Sequence, residues 1–575
     1  MQNRPIPREP LYYTLAFLLA LGLRLIGLGK LPLTDFEAGW ALQSLGVVQG
    51  TDPALGPNPA YVLLTSILFY IFGAGNFLAR FWPALAGSLL VFVPYFFRHR
   101  LGPTAALILA FCLAVDPGLV AGSRMAGGPI LAVLFLLLAW AAWSQARPQW
   151  AGVFAALTLL SGPAAWAGLL GLVLAWMIRQ GLERPPSTES STGTFPTSPG
   201  EPTKPETPPQ KTETWKPAIL PFLATLLLGG SLLFLVPGGL GAWAGALPAY
   251  LKGWIMPSGV PAGRLLFALV VYQPLAILFG VVALLLGWWQ GRRRAIRLGL
   301  WFVIALFLAL AHPARQAIDL VWALIPLWAL AAEELSRHLD FPQEDRLELI
   351  GVFSFTVLLL VFAWLDLAGL VWTGLPSQQG SVRIWLFIGS LVLLVVSLFL
   401  VAFGWSRPIA RLGGVWGAAA VLAFYTLGVA WGATGLRTPG GVELWTNDRA
   451  VAQADLLALT ADQISEWSTG HTDDLPVTVQ TADSPSVLWA LRNHAPRLAT
   501  TLDPASAPPL VVTPALDNPG LAAAYRGQDF VWRQTPLWDA LLPTDWLRWY
   551  FFRDMPVESE TIVLWARDDL FPDAR

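Results

Sequence analysis

Residues 11–28 read LYYTLAFLLALGLRLIGL, and residues 33–42 after them read LTDFEAGWAL. The first stretch is 18 residues of almost unbroken apolar side chains, enough helix to cross a hydrocarbon core of about 30 Å. It carries Arg24 and has no small-residue cleavage site, so it reads as a retained first helix rather than a removable leader. The second stretch turns polar at Thr34, Asp35 and Glu37, where a chain leaving the membrane meets water. Runs like the first recur along residues 1–434. Together they predict thirteen spans, at 11–28, 79–97, 104–117, 128–144, 150–162, 163–178, 217–236, 265–289, 298–312, 317–334, 348–372, 384–404 and 411–433. Ser161-Gly162-Pro163 is read either as a hairpin between two spans or as a kink in one long helix. The apolar stretch 59–75 is expected to lie along the membrane surface.

Composition agrees. Of 575 residues, 55% are hydrophobic and 13% charged, with a mean hydropathy of +0.57. Soluble domains carry about 25% charged residues, so a water-soluble enzyme is excluded and a polytopic membrane protein is expected. The net charge of −1 conceals a division. Residues 435–575 hold 10 Arg, no Lys and 19 acidic groups, whereas residues 1–434 hold 26 basic and 18 acidic groups. Two domains are expected, 1–434 in the membrane and 435–575 outside it. With the N-terminus in the cytoplasm, most basic residues of the loops fall on the inner side, which is the usual bias. The acidic C-terminal domain then faces outward, and residues 29–78 form an outer loop with surface helices. The expected location is the plasma or inner membrane.

Residues 183–216, with eight prolines between Pro185 and Pro209, are expected to be a disordered cytoplasmic linker. The single cysteine, Cys112, permits no intrachain disulfide. No GxxxxGK[ST] loop is present, so ATP-driven transport is not indicated, and nothing points to nucleic acid.

Residues 435–575 read differently. Val477–Thr481, Leu510–Thr513 and Ile562–Trp565 have strand character, and Pro485–His494 reads as a helix capped by Ser484. A small α/β domain is expected. Trp546, Trp549, Tyr550, Phe551 and Phe552 suit either its core or the lipid interface.

Acidic groups near a membrane are costly, so their positions are informative. Six fall on the outer side: Asp35, Glu37, Asp52, Asp116, Asp319 and Asp366. With Arg124, Lys252, His312 and Arg315, this set suits a charged substrate delivered by the membrane. A carboxylate can take a proton from an attacking hydroxyl, and cations can stabilise a departing phosphate.

The blocks Leu33–Leu42, Asn58-Pro59-Ala60-Tyr61, Phe72–Gly87 and Ser123-Arg124-Met125 resemble the family-39 glycosyltransferases of the C superfamily, which include protein O-mannosyltransferases and aminoarabinose transferases of lipid A. The resemblance runs over residues 10–335. It implies a helical membrane domain that moves a sugar from a polyprenyl phosphate to a glycan, lipid or protein acceptor on the outer face. It also implies catalytic roles for Asp35 and Glu37, with a divalent metal in some members, for which Asp35 is the ligand offered here. Arg124, Lys252, His312 and Arg315 are the substrate-binding candidates. Two departures stand out. Phe36 separates Asp35 from Glu37, and residues two apart on a helix project about 200° apart. Gly127-Gly128 stands where many members have a further acid. A non-catalytic protein of the same fold, serving an envelope or glycan-assembly partner, is the alternative. A lipid or sugar transporter is less well supported, because few charges lie at mid-bilayer.

Overall fold

The computed structural model describes residues 8–182, 215–339, 345–373, 377–437, 441–445, 449–480 and 484–571. The proline-rich segment 183–214 lies outside the described residues.

The membrane region is a helical bundle. Among the described residues, five helices are long and apolar enough to cross a membrane: Asn76–Phe96, Arg293–Ala311, Arg346–Trp372, Gln378–Gly404 and Arg407–Ala433. Two bent pairs raise the number to seven. The expected thirteen spans are therefore not confirmed; several apolar runs form helices of only 13–17 residues, such as Ile130–Ser144 and Pro148–Leu160. At residues 161–163 the chain breaks between separate helices, Pro148–Leu160 and Ala164–Leu182. The segment expected at the surface forms helix Pro59–Phe72.

The bent pairs bear on two expected spans. Span 104–117 corresponds to helix Pro103–Val115, which ends at Asp116 and is followed, after a bend of 55°, by Pro117–Ser123. Span 265–289 breaks at Gln273, between Ala262–Tyr272 and Pro274–Trp289, with a bend of 96°. Each broken residue precedes a proline, which disfavours helical geometry at the position before it. A break frees backbone groups that lipid cannot satisfy, and polar side chains meet that need. Asp116 Oδ1 accepts the Leu119 amide at 2.6 Å, capping helix Pro117–Ser123. Asp116 Oδ2 accepts from Gln273 Nε2 and from Trp328 Nε1, both at 2.6 Å. Arg24, fully buried, donates to the carbonyls of Leu113 and Ala114 at 3.1 and 2.9 Å and to Ser123 Oγ at 3.1 Å. The two breaks are thus tied together, with the first helix supplying the cation nearby.

The C-terminal domain is a six-stranded mixed sheet: β1 (Ala450–Val451), β2 (Val477–Val479), β3 (Arg497–Leu498), β4 (Leu510–Pro514), β5 (Tyr525–Pro536) and β6 (Val557–Arg567), in the order β1-β5-β6-β4-β2-β3. β2 pairs in parallel with β3 and β4, and the remaining pairs are antiparallel. Helix Ala454–Thr469 lays Leu457, Ala461 and Ile464 against Val477, Val479, Leu510 and Leu564. The expected strands at 477, 510 and 562 and the helix at 485 are present.

This domain is seated on the bundle by helix Pro543–Phe552. Trp549 is fully buried and donates Nε1 to the Val442 carbonyl at 2.7 Å. Trp546 meets Phe267 at 4.8 Å, and Phe551 meets Trp364 at 4.9 Å between ring centroids. The aromatic cluster therefore packs the C-terminal domain onto membrane helices. Arg553 donates to Glu443 at 3.1 Å, and the Tyr272 hydroxyl bonds the same carboxylate.

Candidate functional site

Helix Asp35–Gln49 begins with a capping box: Glu37 N donates to Thr34 Oγ1 and Thr34 N donates to Glu37 Oε2. Its first three residues fan outward as the 100° step requires. Asp35 faces the C-terminal domain, Phe36 lines a cavity, and Glu37 turns into the protein.

Glu37 is buried and holds Arg80 through two bonds, Nε to Oε1 at 2.7 Å and Nη2 to Oε2 at 2.6 Å. Glu37 Oε1 also accepts the Ala126 amide at 3.0 Å. The same guanidinium donates to the Leu31 and Pro32 carbonyls at 2.7 and 2.9 Å. This buried fork joins the turn after the first helix to the 125–129 turn. Glu37 is committed to that fork and does not share a space with Asp35.

Asp35 is captured across the domain seam. Its Oδ1 accepts from Ser486 Oγ at 2.6 Å, Ser486 N at 3.1 Å and Ser484 Oγ at 3.1 Å, and its Oδ2 accepts from Arg533 Nε at 2.8 Å. The Asp35 side chain remains 25% exposed. Ser484 stands at the N-cap of helix Pro485–Ala490, yet its hydroxyl makes no cap bond and reaches Asp35 instead. The capped helix at 485 marked the stretch that holds Ser484 and Ser486 in the sequence, without assigning either a role at the site. The sequence offered no signal for Arg533, which sits 498 positions from Asp35.

The next residue, Phe36, borders a cavity of about 290 Å³, which Asp35 itself does not line. One wall runs from Phe36 and Trp40 through Asn58 and the 125–129 turn to residues 161–167. The other is formed by Tyr250, Gly253, the end of helix Arg293–Ala311 and the loop that follows, with Trp322 behind it. Gly127 explains the departure noted in the sequence. It has a φ of +75°, and a Cβ there would meet the Trp40 ring at 2.3 Å, so no side chain fits.

Among the described residues, three buried polar atoms of the cavity lining have no hydrogen-bond partner: Asn58 Oδ1, His312 Nε2 and Trp322 Nε1. Such atoms are costly unless a ligand or water completes them. The loop between Ala311 and Val321, outside the helices, adds Asp319, which accepts the Gln316 amide at 2.8 Å. It belongs to a 3₁₀ turn, Ala317–Leu320, where the sequence predicted that the span begins. Burial pushes the Asp319 carboxyl up to about 6 and the His312 imidazole down. His312 stacks on Tyr250 at 5.2 Å.

Of the four candidate cations, only His312 lines the cavity. Arg124 is buried and donates Nη1 to the Arg24 and Ile26 carbonyls, both at 2.9 Å, closing the end of the first helix. Arg315 donates to the His312 and Val260 carbonyls, each at 3.0 Å, and so braces the loop beside the cavity. Lys252 ends helix Ala246–Lys252 and is exposed. Among the described residues, no group of three or more His, Cys, Asp or Glu is arranged to hold a metal. The groups around Asp35 are N–H and O–H donors, which do not fit a metal ligated through this carboxylate.

Residues 47–177 match the family described as dolichyl-phosphate-mannose-protein mannosyltransferase. Among solved structures, the chain is similar to ArnT from Cupriavidus metallidurans bound to undecaprenyl phosphate, with a TM-score of 0.49 and 16% identity, covering 84% of this chain and 85% of that one. The apo form of that protein gives 0.45 and 16%, covering 83% and 84%. The Archaeoglobus fulgidus oligosaccharyltransferase in complex with Zn and sulfate gives 0.41 and 14%, covering 85% of this chain and 62% of that one. No curated protein matches the chain by sequence. The family match spans residues 47–177, which hold the sequence blocks at 58–61, 72–87 and 123–125 and not the one at 33–42.

Proposed function

We propose that the protein transfers a sugar from a polyprenyl-phosphate donor to an acceptor hydroxyl on the extracytoplasmic face. The observation that carries this reading is the cavity. Its Asn58–Ala167 wall lies inside the family-matched segment, and polar atoms of its lining are left unpartnered. In this reading the sugar phosphate occupies the cavity and His312 lies beside the phosphate. The acceptor oxygen attacks the anomeric carbon, the bond from that carbon to the phosphate oxygen breaks, and Asp35 takes the acceptor proton. Polyprenyl phosphate leaves.

The test is release of polyprenyl phosphate by the purified full chain given a polyprenyl-phosphate sugar. Ala167→Trp fills the cavity and is expected to lower turnover at least about tenfold, with an overpacking cost of about 1–3 kcal/mol. Melting curves of the variant check that it stays folded, and His312→Gln provides a smaller perturbation of the same cavity. Wild-type-like turnover in both would remove the cavity from the reaction.

A second reading is favoured by one observation. Asp35 is held by four donors from the C-terminal domain, an arrangement that also suits a non-catalytic protein with a fixed interdomain joint.

The orientation belongs to the same reading: N-terminus in the cytoplasm, C-terminal domain outside. Cys112 is buried, so engineered thiols can be labelled over a low background. An impermeant maleimide on intact cells is expected to label Asp529→Cys and to leave Arg147→Cys unlabelled until the membrane is opened. The reverse pattern would overturn the orientation.

A further inference from the structure

A second cavity, of about 200 Å³, lies on the other side of the seam, between the turn after the first helix and the C-terminal domain. Pro32 and Leu33, just before Asp35, form one edge. Ser486 belongs to its wall and is the residue whose amide and hydroxyl both hold Asp35. Asp35 itself lines neither cavity; Phe36 borders the larger and Ser486 the smaller, and the two spaces are unlike. The larger one is mostly apolar, and the smaller one is walled mainly by polar groups.

The chemistry of the smaller wall is specific. Asp455 and Asp462 supply acceptors, with Asp462 Oδ1 already bonded to His494 Nε2 of the same wall at 2.8 Å, while Asn493, Asn76 and Arg492 supply donors. Arg492 Nε is buried without a partner, although the rest of the guanidinium bonds the Trp489 carbonyl at 2.8 Å and stacks over that ring at 4.7 Å. Burial lowers the Arg492 pKa, which the two nearby carboxylates oppose. Two carboxylates in so small a space disfavour a phosphate. The mixture of donors and acceptors matches a hydroxyl group, which is both. A cavity below the usual range for drug-sized ligands has room for a sugar ring and not for a lipid chain.

The geometry points to a binding site for the acceptor: the cavity formed by Asp455, Asp462, Arg492 and Asn493 takes the neutral, hydroxylated ring of a saccharide. It presents that ring to Asp35 across Ser486. This rests on the transfer reaction proposed above for its role, but not for its detection, because binding is read without any donor.

Saturation-transfer NMR on the full chain in lipid nanodiscs tests it. The probes are methyl glycosides of glucose, mannose and N-acetylglucosamine, with inorganic phosphate and spermidine as competitors. At least one glycoside is expected to bind. Asp455→Ala combined with Asn493→Ala should weaken it about tenfold, the cost of two lost hydrogen bonds. Both side chains are exposed, so the fold is not at risk, and Ala458→Trp blocks the same space by another route. Absence of glycoside binding, binding unchanged in these variants, or displacement by phosphate or spermidine would each overturn the inference. If a glycoside binds here while the chain releases no polyprenyl phosphate, the site stands and the transferase reading falls. Turnover without glycoside binding would leave the transferase reading in place and remove this site.

Discussion

Asp35→Asn is expected to lower polyprenyl-phosphate release by about 10²–10⁴-fold, the range that a positioned proton acceptor contributes. The substitution keeps the shape of the side chain, removes its charge, and turns one oxygen into a donor. That donor would face either the Arg533 guanidinium or the hydroxyls of Ser484 and Ser486, all of which donate to the native carboxylate. Loss of activity alone could come from loosening the seam, so a companion variant is needed. Arg533→Gln also weakens the seam, removing the ion pair at Oδ2, but it leaves the carboxylate in place. A transferase that uses Asp35 as its base should lose much more in Asp35→Asn than in Arg533→Gln. Equal losses would make Asp35 a joint rather than a base, and full turnover in Asp35→Asn would remove it from the mechanism.

Arg80→Ala is expected to destabilise the protein by about 3–5 kcal/mol, the usual cost of removing one partner from a buried ion pair. Both side chains are nearly inaccessible, at 7% and 4% exposure. The substitution leaves Glu37 charged and buried, and the carbonyls of Leu31 and Pro32 lose their donors. Glu37→Gln, which keeps the Ala126 contact possible, should cost less. Thermal unfolding in a fixed detergent checks the order. A melting temperature unchanged in Arg80→Ala would show that the fork is not what joins the turn after the first helix to the 125–129 turn.

The apolar runs made the helical bundle legible, and simple helix geometry made the divergence of Asp35 from Glu37 legible as well. The breaks at Asp116 and Gln273 were not legible in the same way, although Pro117 and Pro274 stand directly after them. Hydropathy averages over such breaks, and the bond between the two side chains spans 157 positions. β5 escapes pattern reading because its early residues, Arg526 to Asp529, are polar and exposed, so the alternation that marks a strand is weak. Arg124 and Arg315 look like anion-binding groups in the sequence because charge is all that the sequence displays. The fold spends both on backbone carbonyls, which pattern reading cannot foresee. The candidate site was half visible: Asp35, His312 and Asn58 lie in blocks singled out in the sequence, whereas the seam with residues 484–533 exists only after folding.

That seam bears on how the protein can be dissected. A shortened chain ending near residue 434 would keep every candidate span but strip away all four groups that steady the Asp35 side chain. Such a fragment is not a minimal version of the parent. Any inactivity it displayed would speak of a missing scaffold, not of a missing substrate, and experiments that graft outer domains between relatives should move residues 33–37 along with them.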